Sequence, residues 1–201
     1  MKFSESWLRE WVSPSIDTAE LVAQLTMAGL EVDAVEAVAP AFDGVVVGEI
    51  GAVDPHPNAD KLRVCQVTGA AGETVQVVCG APNARRGLKV PFATVGATLP
   101  GDMKIRKARL RDVESFGMLC AEQELGMSDS SDGLLELAAD APVGSDLRQY
   151  LNLNDNVVEL GLTPNRADCL SIHGVAREAA LLNQMSFAET VTDSVAPACD
   201  D

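Results

Sequence analysis

Hydrophobic and polar positions alternate with two different periods along this chain. In the middle, apolar residues come in short runs at 45–50, 62–67, 73–79 and 88–95. The runs are rich in β-formers, and Gly, Pro and Asn punctuate gaps of about ten to fifteen residues, so the pattern predicts a small all-β barrel or sandwich. Toward both ends the period becomes helical. Trp7, Leu8 and Trp11 share one face behind Ser4, a good N-cap, and Pro14 stops that short helix. Asp17 caps a second helix with Glu20 in capping-box register; Leu21, Val22, Leu25 and Ala28 form its buried face, and Gly29 follows as a C′ glycine. Residues 1–3 read as a short extension and 30–38 as an extended segment. Beyond the centre, 157–162 is a strand and 163–168 a turn ending in a cap. Leu170, Ile172, Val175, Ala176, Ala179, Ala180 and Leu182 then mark a helix up to Asn183. Residues 185–201 carry little pattern and are expected to be frayed or a linker.

Two stretches of the β region stand apart. In Asp54-Pro55-His56-Pro57-Asn58-Ala59-Asp60 two prolines remove backbone donors and bias their predecessors away from helix. A rigid polar loop thus feeds a strand whose opening residues, Lys61 and Arg63, are cationic. Residues 104–111 read as the most polarised strand, with Ile105 and Lys107 on one side and Lys104, Arg106 and Ala108 on the other, a bulge or twist re-aiming the cations. A charged edge that resists aggregation is the simpler reading. Five cations in eight residues exceed that need and favour polyanion binding. Residues 121–126 read as a helical turn, 134–137 as a last strand, and 140–156 as a crossing with an acidic helical turn at 146–150.

The charge balance changes the picture further. A net charge of −15 over 201 residues argues against a nucleic-acid partner until its distribution is seen. Ten of the fifteen Lys and Arg residues lie between Lys61 and Arg111, with only Glu73 and Asp102 among them. That span carries +8 and the remainder −23, a basic stripe on an acidic molecule. The five cysteines show no CxxC spacing and fit buried, reduced thiols better than disulfides or a zinc site. No apolar run reaches membrane-spanning length and the first residues lack a signal-peptide core, so a cytoplasmic protein is expected.

Three motifs carry a resemblance. Pro55-His56-Pro57-Asn58-Ala59-Asp60-Lys61-Leu62, Val78-Cys79-Gly80-Ala81-Pro82-Asn83, and Ser115-Phe116-Gly117-Met118-Leu119-Cys120-Ala121 with Glu124-Leu125-Gly126 resemble the tRNA-binding OB-fold module of several aminoacyl-tRNA synthetases. The flanks narrow it. Gly29-Leu30-Glu31-Val32-Asp33, Leu162-Thr163-Pro164-Asn165-Arg166-Ala167-Asp168-Cys169-Leu170-Ser171 and Gly174-Val175-Ala176-Arg177-Glu178 resemble the start of the bacterial phenylalanyl-tRNA synthetase β subunit. The resemblance implies an α+β fold, with an all-β OB-fold barrel (40–151) inserted into a small discontinuous α/β domain (1–39 plus 152–190). Residues 191–201 would be a linker toward further domains. It implies a tRNA-binding role in a ligase that uses ATP and Mg2+, with a catalytic α subunit in an (αβ)2 assembly. The aminoacylation site would lie in that partner, and the editing and magnesium-contacting segments beyond residue 201.

No Walker-type loop, paired-Asp metal motif or His with a nucleophile partner is present in the sequence, so catalytic, metal and cofactor residues are expected to be absent here. The expected RNA contacts are Lys61, Arg63, Arg85, Lys89, Lys104, Arg106, Lys107 and Arg109, joined by Ser115 and Met118, which match the module's nucleic-acid face. No DNA or membrane partner is expected. His56 suits either a nucleotide contact or turn-shaping, Asn58 and Asn83 suit turns, His173 a structural place, and Arg166 a local bridge to Asp168. Two other functions remain open: a stand-alone tRNA-binding or chaperone-like protein, against which the flanks argue, and a protein-docking barrel.

Overall fold

The computed structural model describes residues 1–186. In chain order the elements are β1 (Lys2–Ser4), α1 (Glu5–Trp11), α2 (Thr18–Met27), β2 (Glu31–Ala37), β3 (Asp43–Pro55), β4 (Arg63–Thr68), β5 (Thr74–Cys79) and β6 (Lys89–Leu99). There follow β7 (Met103–Lys104), β8 (Ala108–Leu110), β9 (Val113–Ser115), β10 (Met118–Leu119), α3 (Leu147–Tyr150), β11 (Asn156–Gly161) and α4 (Ile172–Leu182). Two units separate: Met1–Val38 with the described residues from Asp155 on, and Ala39–Asn154.

The first unit is a three-stranded antiparallel sheet, order β1-β11-β2, covered by α1, α2 and α4. Neither flank could bury its apolar face alone. Leu21 and Leu25 of α2 share one core with Val158 and Leu160 of β11 and with Val175 and Ala179 of α4. The Ser4 hydroxyl accepts from the Trp7 N–H and the Asp17 carboxylate from that of Glu20, so both N-caps form where the sequence puts them. Gly29, at φ 84°, ends α2.

Several details differ from expectation. Residues 2–4 are a strand, Phe3 lying opposite Val158, a partner too remote for local pattern to reveal. Trp7 is 48% exposed while Leu8 and Trp11 face inward, and Leu170, 66% exposed, lies outside the helical face assigned to it. The cap of α4 is Ser171, accepting from the Gly174 N–H, because the helix begins only at Ile172 and Asp168 lies within the 3-10 turn before it. A Cβ at Gly174 would run into the Asp168 carbonyl, so glycine lets the turn pack onto the helix.

Among the described residues, one charge is buried in this unit. The Glu5 carboxylate accepts from Arg9 Nε (2.9 Å), Thr18 Oγ1 (2.8 Å) and Asn156 Nδ2 (3.0 Å). Burial pushes its pKa up, but the bonds from Asn156, Thr18 and Arg9 and the guanidinium charge outweigh that and hold it below the usual carboxylate range.

The second unit is built on β3. The sheet runs β10-β6-β3-β4-β5, all antiparallel, with β7 on β6 and β8–β9 as a separate hairpin. β3 is thirteen residues long and includes Asp54 and Pro55, which the sequence assigns to the loop; a register shift between Ile50 and Ala52 bends it. Such a bulge lets one strand pair on both edges while the sheet curls. β5, one end of the order, is bonded to the end of β9 and the residue after it, just ahead of β10: Phe116 N–H to the Gln76 carbonyl (2.9 Å) and Val78 N–H to Ser115 Oγ (3.1 Å). Among the described residues no ladder closes the sheet, and the class is α+β.

Residues 134–137 form no strand, although the Leu135 N–H reaches the Cys120 carbonyl and Leu137 that of Lys89. The region 104–111 is not one strand. It breaks after Lys104, buries Ile105 through bonds with Gly96 and Ala97, and resumes as β8. Near the unit's two ends Arg148 donates from Nη1 to the Pro40 carbonyl (2.7 Å), from Nη2 to that of Leu153 (3.0 Å) and from Nε to Asn154 Oδ1 (2.8 Å). Its guanidinium lies 4.8 Å from the Phe42 ring centroid.

Candidate nucleic-acid interface

The loop between β3 and β4 folds on itself: His56 N–H bonds the Leu62 carbonyl (3.2 Å) and Leu62 N–H that of Ala59 (3.1 Å). This buries the imidazole, which is 5% exposed. Its Nδ1 accepts from the Asn58 N–H (3.1 Å), so the other nitrogen carries the proton and donates to the Leu110 carbonyl (3.1 Å). Asn58 Nδ2 donates to the Arg111 carbonyl (3.1 Å). The loop therefore grips the tip of the β8–β9 hairpin. At the hairpin base Gln76 Nε2 donates to the Glu114 carbonyl (2.7 Å). Of the two roles open to His56, the structure shows the architectural one. A concavity of about 500 Å3 beside the loop is lined in part by Asp54, His56, Asp60 and Arg63.

The ten cations of the basic stripe divide by their partners. Lys61, Lys104, Arg106 and Arg111, with Arg86, are exposed and form no ion pair with any described residue. Arg63, also exposed, reaches only the Ala84 carbonyl (3.5 Å). Lys107 pairs with Glu114 (2.9 Å) and lies 4.6 Å from the Phe116 ring centroid, while Arg109 approaches Asp112 at 3.8 Å. These two pairs are solvent-exposed and weak, so both cations stay available to a phosphate.

Arg85 makes a two-pronged pair with Glu136 (2.6 and 2.7 Å). The Arg85 guanidinium and the Asn83 amide hold the Glu136 carboxyl down at about 2. Lys89 is half-buried and donates to the Ala141 carbonyl (2.7 Å). Ser115 is 2% exposed; its hydroxyl donates to the Gly117 carbonyl and accepts from the Val78 N–H. Met118 is half-buried against the core. Internal bonds thus occupy both Ser115 and Lys89, each of which ties two chain segments that share no local signal.

Asn83 bonds the Leu134 backbone on both sides, Nδ2 to the carbonyl and Oδ1 from the N–H (both 2.9 Å), bridging loops rather than shaping one turn. Sequence reasoning missed the His56 tether, which spans 54 residues. The double-proline loop signals rigidity but not its partner.

Among the described residues one cluster of metal-ligand types occurs, Asp168, Cys169 and Glu178. Arg166 already bonds all three, so the protein's own guanidinium supplies the cation there. Four cysteines are buried and free, and Cys199 lies outside the described residues. No helix among the described residues is long and apolar enough to cross a membrane.

Residues 45–146 match the family described as "Putative tRNA binding domain", which is half of the chain. The chain belongs to that family. All 201 residues of this tRNA binding domain protein align at 62% identity with the phenylalanine–tRNA ligase β subunit of Pseudomonas putida and at 60% with that of Hahella chejuensis. In both cases 25% of the relative is covered, so the chain spans about a quarter of the length of these curated relatives, corresponding to their N-terminal part. A solved methionyl-tRNA synthetase related protein from Pyrococcus horikoshii shares 21% identity over 50% of this chain and 85% of its own, with a TM-score of 0.37.

Proposed function

We propose that this chain supplies the tRNA-binding surface of a phenylalanine–tRNA ligase β subunit. The observation that carries the reading is the exposed arm at 104–111, whose cations are free or only weakly paired, beside Lys61 of the β3–β4 loop and Arg63 at the start of β4. The arm and loop contact phosphates through Lys61, Arg63, Lys104, Arg106, Lys107 and Arg109, with Arg85 at the margin. Such contacts give affinity and position rather than base readout. The curled sheet of the second unit is read as a partly open OB-type barrel, inserted at residues 40–151 into a discontinuous domain of 1–39 and 152–190. In the whole protein, ATP-dependent attachment of phenylalanine, with Mg2+, takes place on a catalytic α subunit in an (αβ)2 assembly in the cytoplasm. The ligase names of relatives at 62% and 60% identity support that context. Titrating the 201-residue chain with tRNA at rising salt tests the reading. If four to six phosphates are neutralised, log K falls with log salt at a slope of about −3 to −5, and replacing Arg106, Lys107 and Arg109 with Ala flattens it. Binding undetectable at low salt would sink the proposal.

A further inference from the structure

We propose that Arg111 is a phosphate contact of this RNA-binding surface, displayed in a strained turn that His56 and Asn58 hold in place. The proposal rests on the RNA-binding reading above. Leu110 and Val113 are paired across the hairpin, which leaves Arg111 and Asp112 as a two-residue turn. Both have positive φ, 44° and 73°. A two-residue hairpin of this kind selects Asn-Gly or Gly-Gly, because a Cβ is disfavoured at both positions. Arginine is a poor choice for the backbone here. Strain of this sort persists only where the surroundings over-determine it, and it collects at functional sites.

The surroundings do over-determine it. The two tip carbonyls, at Leu110 and Arg111, are held by His56 Nε2–H and Asn58 Nδ2–H, both at 3.1 Å. Neither bond uses the Arg111 side chain, which is exposed and pairs with no acid among the described residues. Asp112, its neighbour in the turn, faces Arg109 instead. The backbone of the apex is fixed while its guanidinium is left outward, as a contact for a phosphodiester requires. A turn kept only to join β8 and β9 would hold its backbone more easily with glycine.

The test separates shape from charge. Arg111→Gly in the 201-residue chain relieves the backbone and removes the cation. The melting temperature is expected to rise by about 2–4 °C. The slope of log K against log salt for a phenylalanine tRNA transcript is expected to lose about 1. Arg111→Lys is expected to leave that slope unchanged. Lys104→Ala with Arg106→Ala is run alongside. If that pair flattens the slope and Arg111→Gly does not, the apex is not a contact and this inference falls alone. If neither variant alters binding, the RNA-binding reading falls with it. A lower melting temperature for Arg111→Gly would show that the turn is unstrained and remove the argument.

Discussion

Arg148 and Arg106 belong to the same unit and serve opposite ends. The guanidinium of Arg148 reaches two backbone carbonyls, the Asn154 side chain and the face of Phe42. Arg106 is exposed and bonds no described residue; beside it Ile105, 7% exposed, anchors the arm through the backbone. Arg9 and Arg166 follow the pattern of Arg148, each fanned over three or more acceptors. The lesson is that counting cations does not locate a polyanion site. The proposed phosphate contacts are of the second kind, a guanidinium or ammonium with no strong internal partner on a backbone that is itself held.

The sharpest way to break the comparison is to truncate both kinds. Arg148→Ala leaves the Pro40 and Leu153 carbonyls without their charged donor and uncovers Phe42, and is expected to destabilise the second unit by about 2–4 kcal/mol. Arg106→Ala is expected to change stability by less than about 0.5 kcal/mol. Thermal unfolding of both variants checks this, and similar losses for the two would end the distinction. The binding side should invert: Arg106→Ala reduces the salt slope by about 1, and Arg148→Ala leaves it alone as long as the unit stays folded.

Arg85 lies between the two kinds, exposed yet fully paired with Glu136, and pH reads its contribution. Because the folded Glu136 carboxyl sits at about 2, below the ordinary value near 4.3, its bond to Arg85 stabilises above that ordinary value. The stabilisation is lost as pH falls toward 2. Glu136→Gln should therefore flatten the dependence of melting temperature on pH in the window from about 5 down to 2. The change is expected to be the smallest of the set, since the pair faces solvent. An unchanged profile would show that the pair adds nothing.

Local pattern reached the elements whose cause is local. The runs at 45–50, 62–67, 73–79 and 88–95 reappear within β3, β4, β5 and β6, and Ser4 and Asp17 cap their helices. The misses share a different cause. β1 is a strand only because β11 lies beside it, and Ser171 rather than Asp168 caps α4 because a 3-10 turn takes up residues 164–169 and delays the helix to Ile172. The arm at 104–111 breaks because Ile105 is drawn inward by Gly96 and Ala97. Of the candidate contacts, the charge stripe was legible, but its division into partnered and free cations depends on Glu136, Ala141 and Asp112, none of which falls within the stripe's own pattern.

The bonds from Arg148 to Pro40 and Leu153 have a kinetic side. Ala37 of β2 lies opposite Asn156 of β11, a pairing separated by more than a hundred residues of chain. Once Arg148 has drawn the two ends of the intervening unit together, that pairing faces the closure entropy of a short turn, a saving of about 3 kcal/mol by the logarithmic law. The strand pair is then expected to form like a hairpin, the interrupting unit folding first and the host sheet closing behind it. Pulse-labelled amide exchange during refolding should find Val47 and Ala93 protected before Val35 and Val158, and Arg148→Ala should delay the second pair more than the first.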